Sequence, residues 1–141
     1  MTLRRKLVSL AATGVLVGGG LVAATTSAGA ASPGDVSAQS CYGSAKSYTK
    51  KTNYHLVPLP SQTPQFFTTT SNCSDINIKT NSNRSVKVCF YTSSGALNYC
   101  QADYKSAKNG VWKVIATNVK NNVKFRFYFS TTSAATGTYA A

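Results

Sequence analysis

The strongest pattern in the chain is an alternation of apolar and polar residues in three segments of its second half. The apolar positions are Val86, Val88 and Phe90; Trp112, Val114 and Ala116; and Val123, Phe125, Phe127 and Phe129. A period of two among β-branched and aromatic residues is the signature of a strand with one buried face. The segments therefore predict three β-strands.

Weaker strand signals lie in the first half of the chain. They occur around Tyr48, at residues 54–57 and 66–70, and at Ile76 with Ile78. Prolines between residues 58 and 64 interrupt the pattern there, and no segment shows an apolar stripe with helical spacing. About seven short strands with frequent turns predict an all-β fold, a small antiparallel β-sandwich or a barrel.

Two hairpins follow from register arithmetic. A turn at Ser94-Gly95 places Cys89 directly opposite Cys100, where a disulfide can form; residues 92–98 also offer other turns. A turn at Asn121-Asn122 suits the positive φ of tight hairpins. It pairs residue 116 with 127 and residue 114 with 129, joining two apolar faces.

The chain contains four cysteines, Cys41, Cys73, Cys89 and Cys100. An even number of cysteines predicts two disulfides if the chain reaches an oxidising compartment. Pairing Cys89 with Cys100 leaves Cys41 with Cys73. The alternative is a zinc site, but no CxxC pair occurs and the chain has a single histidine.

The first thirty residues have the order of a cleavable signal peptide. Basic residues at positions 4–6 precede an apolar stretch, Leu7 to Val22, and the small-x-small sequence Ala28-Gly29-Ala30 follows. A membrane anchor is the alternative, although the stretch is shorter than the roughly 20 residues of a spanning helix. Arg4-Arg5 also allows a twin-arginine export route.

Cleavage after Ala30 divides the chain into three parts. We expect a signal peptide at 1–30, a flexible leader at 31–40 and one disulfide-stabilised β domain at 41–141, with no integral membrane segment after cleavage. The prediction for localisation is accordingly secreted and extracellular.

The charge of the exported part is strongly unbalanced. Without residues 4–6, twelve of the fifteen basic residues remain against Asp35, Asp75 and Asp103, a net charge of +9. Such a surface attracts polyanions, including nucleic acids and acidic cell-wall polymers. Solubility and loose adsorption to the cell envelope are the alternative reading.

The polar positions of the predicted strands supply the candidate binding residues. They are Lys79, Lys87, Tyr91, Lys113, Lys124, Arg126 and Tyr128. Cations beside exposed aromatic rings suit phosphates, or sugars stacked on tyrosine. The alternative is an ordinary solvated sheet face whose lysines guard against aggregation. By alternation, Lys87, Lys124 and Arg126 should lie on the opposite face to Val88 and Phe125.

The sequence offers little for catalysis, and no cofactor or metal motif. His55 with Asp75 or Asp103 is the one acid–base pair available, and no nucleophile motif is present. We therefore expect a non-enzymatic binding protein whose partner is a polyanion or a cell-wall glycan. The first alternative is an inhibitor or antagonistic toxin directed at an extracellular protein, and the second is a small hydrolase or nuclease.

Residues 73–78, 86–90 and 112–117, together with the alanine-rich N-terminus, resemble small secreted β-rich proteins of actinobacteria whose function is uncharacterised. The resemblance implies export and a compact β domain, and it implies no activity and no site residue.

Overall fold

The computed structural model describes residues 33–141, which form one helix and ten β-strands. The elements are α1 Pro33–Gly43, β1 Lys46–Lys50, β2 Leu56–Val57, β3 Phe67–Thr68, β4 Ile76–Thr80, β5 Arg84–Tyr91, β6 Leu97–Cys100, β7 Lys105–Ala107, β8 Trp112–Ala116, β9 Lys124–Phe129 and β10 Ala135–Ala140. The described part has no helix that is long and apolar enough to cross a membrane.

The strands form two antiparallel sheets. One has the order β1-β10-β4-β8, and the other has the order β2-β9-β5-β6, with β3 added to β9 and β7 added to β5. Both orders are open, so neither sheet closes into a barrel. The predicted all-β antiparallel fold with two disulfides is confirmed, in its sandwich form.

One apolar core lies between the two sheets. Phe125, Phe127 and Phe129 of β9 are completely buried, as are Ile76 and Ile78 of β4 in the facing sheet. A buried side chain of this size contributes roughly 1.5–3 kcal/mol. The alternation in β5 and β9 thus has the predicted cause, since every second side chain enters the core.

Both predicted disulfides are present, Cys41–Cys73 and Cys89–Cys100. In the β5–β6 hairpin, Cys89 faces Cys100 and Phe90 faces Tyr99, which is the predicted register. The register shifts at Tyr91, which faces Leu97, and Gly95 takes a positive φ of 90° in the turn.

The second predicted hairpin is wrong. β8 does not pair with β9; it pairs with β4 in the other sheet, where Ile76 faces Ala116. β9 instead pairs with β5, where Val88 faces Phe127. Asn122 does take a positive φ of 62°, but the chain there crosses between the sheets rather than reversing within one.

The faces of β8 were also assigned wrongly, because the strand does not alternate throughout. Ile115, expected on the polar face, is completely buried, and Ala116 beside it is buried too. A register shift between Ile76 and Asn77 of the partner strand accompanies this change. Trp112 and Val114 are only half-buried.

The region expected to be a flexible leader contains regular structure, because α1 covers most of it. The Cys41–Cys73 disulfide attaches the end of α1 to the connection before β4, and Tyr42 attaches it to the four-stranded sheet, since its ring stacks on Trp112 of β8 at 4.6 Å between centroids. Covalent and aromatic contacts hold the helix here without an apolar stripe. The predicted signal peptide, residues 1–30, lies outside the described residues.

Candidate binding surface

The seven predicted binding residues lie on the two sheets rather than on one face. Lys79 and Lys113 belong to β4 and β8 of the four-stranded sheet, whereas the other five belong to β5 and β9 of the six-stranded sheet. On β5 and β9 the cross-strand pairs are Lys87 with Tyr128, Cys89 with Arg126 and Tyr91 with Lys124. Directly paired residues share a face, so these five form one row.

Arg126 is the least accessible residue of that row. It is only 6% exposed. Its guanidinium carbon lies 4.2 Å from the centroid of the Phe66 ring and 4.7 Å from that of Tyr91, and its Nε donates a hydrogen bond to the Gln65 carbonyl at 3.0 Å. The guanidinium is therefore held by two rings and the backbone rather than displayed to solvent.

Lys87 is also engaged with aromatic rings. Its Nζ lies 4.8 Å from the centroid of the Tyr104 ring and 5.5 Å from that of Tyr128. Burial, followed by the nearby Tyr128, raises the pKa of Tyr104. The imidazole of His55 stacks on Tyr128 at 5.1 Å between ring centroids, so Lys87 and His55 both contact the same tyrosine ring.

Two more of the predicted lysines, Lys124 and Lys79, also contact aromatic rings. Lys124 donates to the Ser93 carbonyl at 2.6 Å and lies over Phe66. Lys79 lies 5.1 Å from the centroid of the Trp112 ring on the other sheet. Among the predicted lysines in residues 33–141, Lys113 alone has neither a hydrogen-bond partner nor a ring contact.

A buried cation that the sequence did not reveal lies at the end of β1. Lys50 is 1% exposed, donates to the Ser133 carbonyl, and lies over the Phe129 ring. Burial, and next the positive charge of Arg84, lowers the pKa of its ammonium group. Arg84 donates to the neighbouring Ala134 carbonyl at 2.8 Å, so both cations bind the same connection between β9 and β10.

The twelve basic residues of the described part divide into two equal groups. The held cations, which contact a carbonyl or a ring, are Lys50, Lys79, Lys87, Lys124, Arg84 and Arg126. The free lysines, which have no such contact within residues 33–141, are Lys46, Lys51, Lys105, Lys108, Lys113 and Lys120. Five of the free lysines were not among the predicted binding residues, because they lie at strand ends and near turns and not at alternating positions within the clearly predicted strands.

A groove of about 400 Å³ lies at one edge of the sandwich. The β5–β6 hairpin forms one wall, and the chain from residue 116 to 123, which leads from β8 to β9, forms the other. Two free lysines, Lys105 and Lys120, line this groove together with Tyr91 and Tyr99. The sequence did not reveal it, because its walls come from different sheets.

Among the residues that the structure describes, His55 has no carboxylate partner. Its Nδ1 lies 2.8 Å from the Phe129 carbonyl oxygen, and its other contact is the stack on Tyr128. Asp75 accepts a hydrogen bond from the backbone N–H of Asn118 at 2.9 Å. Within residues 33–141 there is no group of three or more side chains suited to hold a metal ion.

Together these features define a basic, disulfide-linked β-sandwich with a lysine-lined groove at its edge. Comparison with protein-family models, with curated proteins and with solved structures found no match to this chain.

Proposed function

We propose that the protein is an exported, non-enzymatic binding protein whose partner is an anionic or glycan-rich polymer, such as a cell-wall polymer. The observation that carries the proposal is the group of six free lysines on a sandwich with three acids. Because no group within the described part of the chain pairs with them, their charge is available to a polyanion, and the summed field steers such a partner to the surface.

Export supports this function and is part of the proposal. The mature chain begins near Ala31, and the two disulfides are compatible with an extracellular protein. Mass spectrometry of the culture medium should find a species that starts near Ala31. A secreted species that retains Leu7 to Val22 would overturn the proposed processing.

The test of binding is a titration of the purified protein with a polyol-phosphate polymer and with a nucleic acid at two salt concentrations. Affinity should fall steeply with salt, because each neutralised phosphate releases a condensed counterion. An uncharged polysaccharide serves as the control ligand. If the protein binds neither polyanion at low salt, the proposed function is refuted.

Charge variants show whether the free lysines make the contacts. Replacing Lys108 and Lys113 together by glutamine should reduce the slope of log affinity against log salt by about two, one contact each. The matched control replaces Lys79 and Lys87, which removes the same charge from lysines that lie over rings. If the control pair reduces the slope as much, freedom from ring contacts does not determine which lysines contact the polymer; if the Lys108 and Lys113 pair leaves the slope unchanged, those free lysines are not contact residues.

A second candidate is an inhibitor or toxin directed at an extracellular protein. It is favoured by the β5–β6 hairpin, which the Cys89–Cys100 disulfide constrains and whose edge strand displays Leu97, 59% exposed, beside Tyr99. Exposed apolar residues on a constrained edge strand suit a protein interface. A complex that is insensitive to salt and is lost in Leu97→Asp would favour this candidate over the first.

A further inference from the structure

We propose that the groove between the β5–β6 hairpin and the β8–β9 connection binds a single sugar ring that carries an anionic substituent. This inference rests on the proposed function and specifies where on the surface the polymer is recognised. The groove has a suitable shape, one exposed ring, free amides and two lysines.

The shape of the groove suits a small ligand. Its volume, about 400 Å³, lies in the range of small-molecule sites. Phe90 and Ala116 are its buried lining residues, and Val119 and Val123 pack partly against the same core. The base of the groove is thus fixed by the sandwich core.

Tyr99 provides a platform in the groove. It faces Phe90 across the hairpin, with ring centroids 5.0 Å apart, yet it remains 54% exposed. The contact with Phe90 and the adjacent Cys100 disulfide restrict the side chain before any ligand binds. A rigid, exposed tyrosine ring stacks on a flat ligand at a low cost in conformational entropy.

Amide groups provide hydrogen-bonding capacity next to this ring. Gln101 is not one of them, because its Oε1 accepts from the Val88 N–H and its Nε2 donates to the Ile115 carbonyl, both at 2.9 Å. The side chains of Asn98 and Asn118 line the groove, are exposed, and make no hydrogen bond within the described part. They can donate to and accept from sugar hydroxyls.

Charge indicates the anionic substituent. Lys105 and Lys120 line the groove and have no partner among the described residues, and no acidic residue lines the groove. Asp75 accepts a hydrogen bond from the Asn118 N–H at 2.9 Å but does not line the groove. An uncharged sugar would leave both lysines without a partner, whereas a carboxylate or phosphate would accept charge-assisted hydrogen bonds from them.

The probes are a galacturonic acid tetrasaccharide, glucose 6-phosphate and, as the uncharged control, maltotetraose, titrated into the isotope-labelled protein and followed by NMR. At least one charged probe should shift the backbone amides of residues 97–101 and 117–123, and maltotetraose should bind roughly tenfold more weakly. The tighter charged probe distinguishes a carboxylate from a phosphate. If neither charged probe shifts these amides, the inference is overturned.

Variants assign the effect to the groove. Tyr99→Ala should weaken binding of the charged probe by about tenfold, and Tyr99→Phe should retain it because the ring remains. Lys105→Gln with Lys120→Gln should weaken binding by a similar factor, whereas Lys46→Gln with Lys51→Gln, the matched change outside the groove, should not. Melting temperatures show that each variant is folded.

The outcomes separate the two proposals. If polyanions bind in a salt-dependent manner but the groove variants bind the sugar probes as well as the wild type does, the groove inference fails and the proposed function stands. If polyanions do not bind at all while a charged probe does, the proposed function fails and the groove remains a site for small anionic sugars.

Discussion

Gly137 offers the sharpest test of how the four-stranded sheet is packed. It lies in β10, between β1 and β4, where its partners are Tyr48 and Thr80. A Cβ atom on this residue would be 2.2 Å from the Lys79 carbonyl oxygen and about 3 Å from the edge and hydroxyl of the Tyr48 ring. The contact with the carbonyl cannot be relieved by a rotamer change, because it is a backbone atom of a paired strand.

Two opposing effects determine the stability of Gly137→Ala. Alanine in a strand gains roughly 0.5–1 kcal/mol over glycine through the lower entropy of the unfolded chain. Against this, relieving the clash requires β10 and β4 to separate by about an ångström, at an overpacking cost of about 1–3 kcal/mol or more, with weakened ladder hydrogen bonds in addition. The clash outweighs the entropy, and we expect a net loss of about 3 kcal/mol.

The measurement is thermal unfolding with both disulfides intact. For a domain of this size, 1 kcal/mol corresponds to about 4 °C, so Gly137→Ala should melt about 12 °C below the wild type. Gly43→Ala is the matched control, since its Cβ would meet no atom within 4 Å and its φ is not positive. The reasoning is refuted if both variants melt within 2 °C of the wild type.

Three further predictions concern the disulfides, the held cations and alkaline pH. Replacing Cys89 and Cys100 together by serine should lower the free energy of unfolding by about 3 kcal/mol through the released loop, as measured by urea denaturation; an unchanged midpoint would contradict this. Arg126→Gln should lower the free energy of unfolding by about 1–3 kcal/mol, because it removes a buried cation from between two rings. Lys124→Gln, at a half-buried position, should lower it less. Equal urea midpoints for the two variants would show that Arg126 is effectively solvated. Burial raises the pKa of Tyr139 to about 12, so the folded state favours the neutral phenol. The contribution of Tyr139 to the free energy of unfolding should be complete below pH 10 and lost as the pH rises from 10 to about 12. Tyr139→Phe should flatten that part of the profile of stability against pH.

The strands that could be predicted from the sequence are those that pack on the core with one face only, because apolar and polar residues then alternate along the strand. β5 and β9 pair with each other across three buried positions, and the hairpin of β5 and β6 is local, so its register follows from a turn and two cysteines. β10 was missed because its sequence, Ala-Thr-Gly-Thr-Tyr-Ala, contains small residues. Its burial arises from close packing around Gly137, which apolar patterning does not report.

The pairing of β8 could not be predicted for a different reason. The turn chemistry of Asn121-Asn122 and the apolar residues on either side agree with a hairpin, and the positive φ of Asn122 is present. Agreement between the turn residues and the flanking apolar residues does not distinguish a hairpin within one sheet from a connection that passes from one sheet to the other. The Asn122 N–H donates to the Thr69 carbonyl, a partner fifty residues away that no local signal identifies.

The sequence predicted which cations lie on the outward face of the sheet, but it did not predict how accessible their side chains are to a ligand. Charge and alternation identified Arg126 and Lys87 as outward-facing cations, and their register agrees with that. Their availability depends on Phe66 and Tyr104, which lie in connections between strands and reach over the sheet. Because these contacts are nonlocal, alternation in the sequence shows that a side chain points away from the core but does not show which residues it contacts there.

The scarcity of acids explains why rings and carbonyls hold half of the cations. Burying Lys50 or Arg126 requires compensation for lost hydration, and with three aspartates in the chain that compensation comes from aromatic faces and carbonyl oxygens. A carboxylate would have cancelled each charge, whereas a neutral partner stabilises the cation and leaves its charge in place. All twelve cations therefore contribute to the long-range attraction of a polyanion, while only the six free lysines are available for direct contact. On this basis, removing a held cation should slow association and removing a groove lysine should speed dissociation, a difference that stopped-flow kinetics on Lys79→Gln and Lys105→Gln can measure.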